Sequence, residues 1–354
     1  MPNRFTEDRT VESTRHHEPA PRVYLGPIGP DYDRAVAAGL EWIGLEKRVK
    51  SSSVVFLKPN LTYPEYRPGV MTHPAAIEAV VRALGDYTSH IFIGDGDSGG
   101  YNPFPIDEVF RATGLLEFER RYGARVVNLS RLPSVEVEMH AGRGIAAVPL
   151  PRLLCEEIDL LISVPVPKIH CNTGVSLSLK NLWGCVSSTT RRLRLHPWLA
   201  DLLIGIQRTV HAEVAIVDGL FGLNRNGPMR GDPVELGWLL VADPLGAAER
   251  IACELMQVDL RSIPHLRRAQ VAGLIPALGA VELQGDLNAH RRERFYLRRE
   301  LTDLPGYLAF HSPGLTYLAY FSPLSGILHR MLDRVRTPFY DYEHYRELRR
   351  GHRE

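Results

Sequence analysis

The sequence predicts an α/β protein: a mostly parallel sheet with helices on both faces, an added β-hairpin, and a small helical C-terminal extension. Three observations carry this. Short apolar runs of strand length alternate with longer stretches of helical spacing, which calls for parallel strands joined by right-handed crossovers. Several of those runs end in charged or amide residues, as strands do when they feed the crevice outside a sheet's carboxyl edge. Between residues 134 and 148 the pattern changes to alternation, VEVEMH and then IAAV, which predicts a hairpin on the edge or side of the sheet.

In chain order, residues 1–21 are polar with both charge signs and read as a mobile leader. Residues 23–25 form a weak first strand, and 32–49 have helical spacing, with Ala35, Ala38, Leu40, Trp42, Ile43 and Leu45 available for a buried face. Residues 54–57 are a strand that ends in Lys58-Pro59-Asn60. A helix over 74–84 follows, capped by Thr72 or His73, with Pro74 near its start where a missing N–H does no harm. A strand at 90–93 runs into GDGDSGG, whose glycines free backbone N–H groups to wrap an anion while Asp95 and Asp97 could hold a cation. Next come a helix over 106–122, a strand over 125–129, the hairpin, and an apolar strand over 158–164.

Beyond the middle of the chain, 197–210 is helical, 212–217 is a strand ending in Asp218, and 236–242 is a strand ending in Asp243. Between them DGLFGLNRNGPMRG, residues 218–231, has the length of a mobile flap over a ligand. Residues 244–256 form a helix. The main α/β domain thus spans 22–285, with a two-lobe division near 130–157, and 286–354 is an arginine-rich, partly amphipathic extension. Its stretch 306–332, broken by Pro313 and Pro323, makes two short amphipathic helices for packing on the main domain or on a second copy.

Composition excludes several classes of protein. At 354 residues, with 44% hydrophobic and 23% charged side chains, the chain can bury a full core. A formal charge of +1 gives no reason to expect nucleic acid as a partner. Cys155, Cys171, Cys185 and Cys253 form no C-x-x-C pair and no zinc spacing, so no iron–sulfur cluster is expected and a reducing, cytoplasmic setting is. No apolar run is long enough to span a bilayer, and no membrane contact is expected.

The functional signal concentrates in residues 158–184, IDLLISVPVPKIHCNTGVSLSLKNLWG. Here a strand empties into Lys168, His170, Asn172, Thr173, Lys180 and Asn181. Lys168 and His170 stand two apart in a proline-stiffened extended segment, so both face the same way. The chain holds only five lysines, Lys47, Lys50, Lys58, Lys168 and Lys180, because arginine takes nearly every other basic position. A compact ammonium whose pKa can move does what a permanently charged guanidinium cannot. Lys58, Asp95, Lys168, Asp218 and Asp243 all follow apolar runs closely. Parallel neighbouring strands would bring them to one crevice edge.

These stretches also identify a relationship. VVFLKPNLTYP, THPAAIEAVVRAL, IGDGDSGG, ISVPVPKIHCNTGVSLSLKNLWGCV with the following Arg191, Arg192 and His196, VDGLFGLNRNGPMRGDPVELG and ADPLGAAERIACELM together resemble the family called domain of unknown function 362 (DUF362) over about residues 54–275. The resemblance implies an α/β protein; some members carry a ferredoxin-type module, whose cluster-binding cysteines this chain lacks. The family pattern places a second acidic residue five positions after the first at the end of the last strand. Here that position is Ala248, next to Glu249. In style the cluster is also similar to the cleft of nickel-pincer lactate racemases, though it has none of their diagnostic motifs.

The sequence therefore leads to an enzyme acting on a small carboxylate- or phosphate-bearing metabolite, by proton transfer, elimination or a redox step. Lys168, His170 and Lys180 are its acid–base groups, and Lys58, Asn60, Asn181, Arg191 and Asn226 hold the anion. Asp95, Asp97, Asp218 and Asp243 are hard oxygen ligands for a Mg2+- or Mn2+-like ion. The alternative is a protein that binds or matures a cofactor or metal without chemistry of its own. Assembly of copies through the C-terminal extension is a further expectation. Cys171 reads as a small buried side chain rather than a reactive thiol.

Overall fold

The computed structural model describes residues 20–98, 104–335, 343–344 and 347. The expected leader, apart from its last two residues, and Gly99 and Gly100 of the glycine loop lie outside this set. In chain order the elements are β1 (Arg22–Pro27), α1 (Asp33–Ile43), β2 (Val54–Pro59), α2 (Pro74–Gly85), β3 (His90–Asp95), α3 (Ile106–Ala112), α4 (Glu117–Tyr122) and β4 (Arg125–Asn128). Then follow β5 (Ser134–Ala141), β6 (Gly144–Pro151), β7 (Leu160–Val164), β8 (Lys168–His170), β9 (Gly174–Ser176), α5 (Ser178–Asn181), α6 (Thr189–Leu195) and α7 (Leu199–Thr209). The chain continues through β10 (Ala212–Asn224), β11 (Asp232–Asp243), α8 (Leu245–Met256), α9 (Pro264–Val271), β12 (Glu282–Gln284) and α10 (Leu287–His290). It ends in α11 (Leu304–His311), α12 (Pro313–Tyr320) and α13 (Ser325–Val335).

The main sheet runs β12-β1-β11-β10-β7-β2-β3-β4. From β10 through β4 every pairing is parallel, whereas β11 runs against both β10 and β1. Period-two alternation sends side chains of each central strand to opposite faces. Val55, Leu57, Ile162, Ile216 and Val241 join a core under α1, α2, α3 and α4. Phe56, Leu161, Val217, Leu240 and Ala242 join the opposite core, under α7, α8, α9 and the β5–β6 hairpin. This gives the expected three layers, and His73 caps α2 by accepting the Ala75 N–H.

Three expectations change and one is narrowed. The run 106–122 breaks into α3 and α4 at Gly114, which takes a left-handed φ of +77°. The β5–β6 hairpin, expected on the edge or side of the sheet, is a separate two-stranded sheet and so takes the second of those places. Half of the stretch expected to be a flap is strand: β10 continues to Asn224, and residues 225–231 are the turn of a second hairpin before β11 begins at Asp232. Finally, residues 304–335 form three helices, α11, α12 and α13, where the sequence predicts two over 306–332. Arg230 pairs with Asp303 at 2.9 Å, and the His196 ring packs at a tilt against Phe310 with centroids 4.3 Å apart, so the extension is fixed onto the main domain.

Candidate functional site

Neighbouring parallel strands β2, β3 and β7 finish on one edge of the sheet. Lys58 lies opposite Ser163 of β7, and Asp95 closes β3. The two form a buried ion pair of 2.6 Å, with side chains 1% and 6% exposed. Lys58 also donates to the Pro59 carbonyl and to Asn181 Oδ1. Asp95 accepts the N–H groups of Leu61 and Gly96, and Asn181 donates to the Lys58 carbonyl and Ser163 Oγ. Every charge in this corner is satisfied, as burial demands. The corner closes over Gly184, where an added Cβ would stand 2.6 Å from Asp95 Oδ1 and 2.9 Å from Lys58 Nζ.

Because β10 outruns β7, short β8 can pair beside Leu223, and Lys168 arrives there on a strand end. Its Nζ donates to Asn60 Oδ1 and to the Val70 carbonyl. Burial, aided by the nearby Lys180 ammonium, pushes Lys168 down to about 7. Lys180 sits on α5, whose first turn is held by Glu249 of α8 accepting the Leu179 N–H at 2.6 Å. Among the described residues Lys180 has no ion-pair partner, and burial together with the Arg192 guanidinium brings it down to about 8. Burial of the Glu249 carboxyl raises it to about 8, so it is largely neutral at pH 7.

Two histidines join the lysines. His170 accepts the Asn172 N–H at Nδ1, which puts its proton on Nε2. His196 lies near the Phe310 carbonyl through Nδ1, so that nitrogen is the donor and Nε2 is left as an acceptor. Burial lowers both pKa values, His196 to about 3, so both rings are neutral. The Cys171 thiol, pushed up to about 11 by burial, is no thiolate at neutral pH, in keeping with its reading as an inert side chain.

Lys58, Asn60, Asp95, Lys168, His170, Lys180 and Asn181 thus line one cavity of about 610 Å3, together with Cys171, Trp183, Arg192, His196, Met229 and residues of α11, α12 and α13. The other predicted residues stand elsewhere. Asp97 accepts the Ile106 N–H at the start of α3. Asp218 is buried and accepts the Tyr32 hydroxyl and the His73 N–H, tying β10 to α1 and α2. Asp243 lies opposite Arg22 at the other edge of the sheet and pairs with Arg48, because β11 runs antiparallel to the strands before it. The aspartates therefore do not converge, and among the described residues no three His, Cys, Asp or Glu side chains are placed to hold a metal ion.

Arg191 points away to Glu136, while its neighbour Arg192 is the one turned into the cavity. Asn226 bonds Asp303 at 2.9 Å and braces the extension. Arg192 and His196 had one usable signal: their place just after the lysine cluster. The side walls contributed by Phe310 and Tyr320 had none, since apolar periodicity does not say what a helix covers.

The profile of the family described as Domain of unknown function (DUF362) matches residues 55–254. A thylakoid-associated protein of Synechocystis sp. (strain ATCC 27184 / PCC 6803 / Kazusa) is 25% identical over 273 residues, 71% of this chain and 76% of that one. Among solved structures, a lactate racemase apoprotein from Thermoanaerobacterium thermosaccharolyticum aligns with TM-score 0.43 and 15% identity, over 66% of this chain and 56% of that one. A Thermotoga maritima protein aligns with TM-score 0.39 and 16% identity, over 64% of this chain and 59% of that one. The chain spans little more than half the length of either structure, and at these TM-scores neither likeness transfers a site or an activity.

Proposed function

The chain belongs to the DUF362 family, whose profile covers more than half of it, and on that premise we propose that it is an enzyme that binds an organic anion and moves a proton on it. One observation carries this: two lysines brought to about 7 and about 8 line a single cavity with neutral His170. Protonated Lys180 and buried Arg192 attract the anionic group. Neutral Lys168 takes a proton from an acidic C–H or O–H beside that group onto Nζ and returns it from there, while the His170 Nε2–H donates a hydrogen bond to the charge that develops. Cysteine acts in no step, since the Cys171 thiol stays protonated.

The cavity supplies two carboxylates, Asp95 and Asp303, and each is already paired, with Lys58 and with Arg230. A Mg2+ or Mn2+ ion would therefore depend on oxygen atoms of the ligand itself. Among the described residues no helix is long and apolar enough to cross a membrane. We place the protein in the cytoplasm, where its free cysteines stay reduced; the relative's thylakoid association fits that placement if contact with the membrane is peripheral.

The test is to release and identify small molecules that copurify with the protein, then return each to the stripped protein. We expect an organic anion whose acidic hydrogen exchanges with deuterium from solvent in the presence of protein. A bound molecule that never exchanges would favour the second reading, a cofactor-binding or maturation protein. Absence of any organic anion, with no stabilisation by carboxylates or phosphates, would sink both.

A further inference from the structure

The cavity has two unlike halves. Lys58, Lys168, Lys180, Arg192 and His170 gather at the sheet edge, whereas Trp183, Met229, Phe310, Tyr320, Leu328 and Leu332 make up much of the remaining wall. The last four belong to α11, α12 and α13, so the C-terminal extension builds most of the apolar side. A volume of about 610 Å3 would hold roughly 20 waters at liquid density, far more than a two- or three-carbon acid displaces. Water against those apolar walls is unfavourable, and a pocket of this size normally takes a drug-sized molecule.

Resting on the proposed anion site, we propose that the ligand is an amphipathic organic acid: its anionic head lies at Lys168 and Lys180, and an apolar chain or ring of several carbons lies under α11, α12 and α13. The roof and the polar end are mechanically joined, because the Phe310 carbonyl takes the His196 Nδ1–H and the two rings are in tilted contact. An apolar group that orders the roof therefore also fixes an imidazole beside the head. The excess of cationic over anionic side chains at the polar end sets the sign of that head, and Asp95 is already neutralised by Lys58.

Isothermal titration with acetate, hexanoate, octanoate and decanoate on the full chain tests this. Affinity should rise by up to about fourfold per methylene until the cavity is filled. Phe310→Ala and Leu328→Ala, each with an unchanged circular-dichroism spectrum, should flatten that dependence on length. Lys180→Met should weaken the whole series by a similar factor at every length. Binding that is independent of chain length, or length dependence untouched by both roof variants, would overturn the amphipathic ligand and leave the anion site standing. Binding indifferent to Lys180→Met at every length would overturn the anion site as well.

Discussion

Replacing Lys168 by methionine should change how stability depends on pH, in a direction and amount that burial dictates. The lysine is 4% exposed, and burial brings its pKa down from the ordinary 10.5 to about 7. For a depressed pKa, the stabilising contribution is complete above the unfolded value and is lost as pH falls through the folded value. The unfolded chain keeps the proton throughout the range from about pH 9 to about pH 6, while the folded chain gains it only near 7. Linkage makes the folded protein about 3 kcal/mol worse off at about pH 6 than at about pH 9 through this one group. Methionine keeps the stem and cannot titrate. It also strands the Asn60 Oδ1 and Val70 carbonyl acceptors, at about 1–3 kcal/mol each, but that cost does not depend on pH. Urea unfolding of both proteins at the two pH values isolates the coupled term as a double difference. The variant should gain about 3 kcal/mol on the wild type as pH falls over this range. A gap between the two proteins that stays constant, within about 0.5 kcal/mol, would refute an ammonium held near neutrality at this position.

Other changes probe neighbouring parts of the site. Lys180→Arg keeps the charge but puts a bulkier planar guanidinium where a compact ammonium fits; ligand binding or exchange should fall at least about tenfold with little change in melting temperature, and unchanged binding would return the residue to an ordinary surface role. Asp95→Asn leaves Lys58 buried beside a neutral amide, and denaturant unfolding should show a loss of about 3–5 kcal/mol. Glu249 has a folded pKa raised from 4.5 to about 8, so its contribution is complete below 4.5 and is lost as pH rises through 8. The stability of wild type relative to Glu249→Gln should therefore fall by about 3 kcal/mol between about pH 5 and about pH 8, measured by the same unfolding assay. EDTA should leave the affinity for carboxylate ligands unchanged, as read by calorimetry, because both cavity carboxylates, Asp95 and Asp303, are already paired.

The sequence by itself determined the layers and the polar end of the cavity. Alternating runs of strand and helix length fixed the parallel core from β10 to β4, and the strand-end positions of Lys58, Asp95 and Lys168 were enough to bring them to one edge, because parallel neighbours must finish together. Scarcity of lysine singled out Lys168 and Lys180 before any distance was known. Strand direction was not legible in the same way. Asp218 and Asp243 both follow apolar runs, yet the β10–β11 hairpin reverses the second strand, sending Asp243 to the far edge, and Asp218 turns to Tyr32 and His73 instead of the cavity. Arg191 and Arg192 are adjacent in a helix, about 100° apart around its axis, and only packing decides which of them is buried. The roof was decided by tertiary structure alone: the periodicity of residues 304–335 marks apolar faces, but the surface they cover is set by contacts such as Arg230 with Asp303 and His196 with Phe310, more than seventy positions apart in sequence.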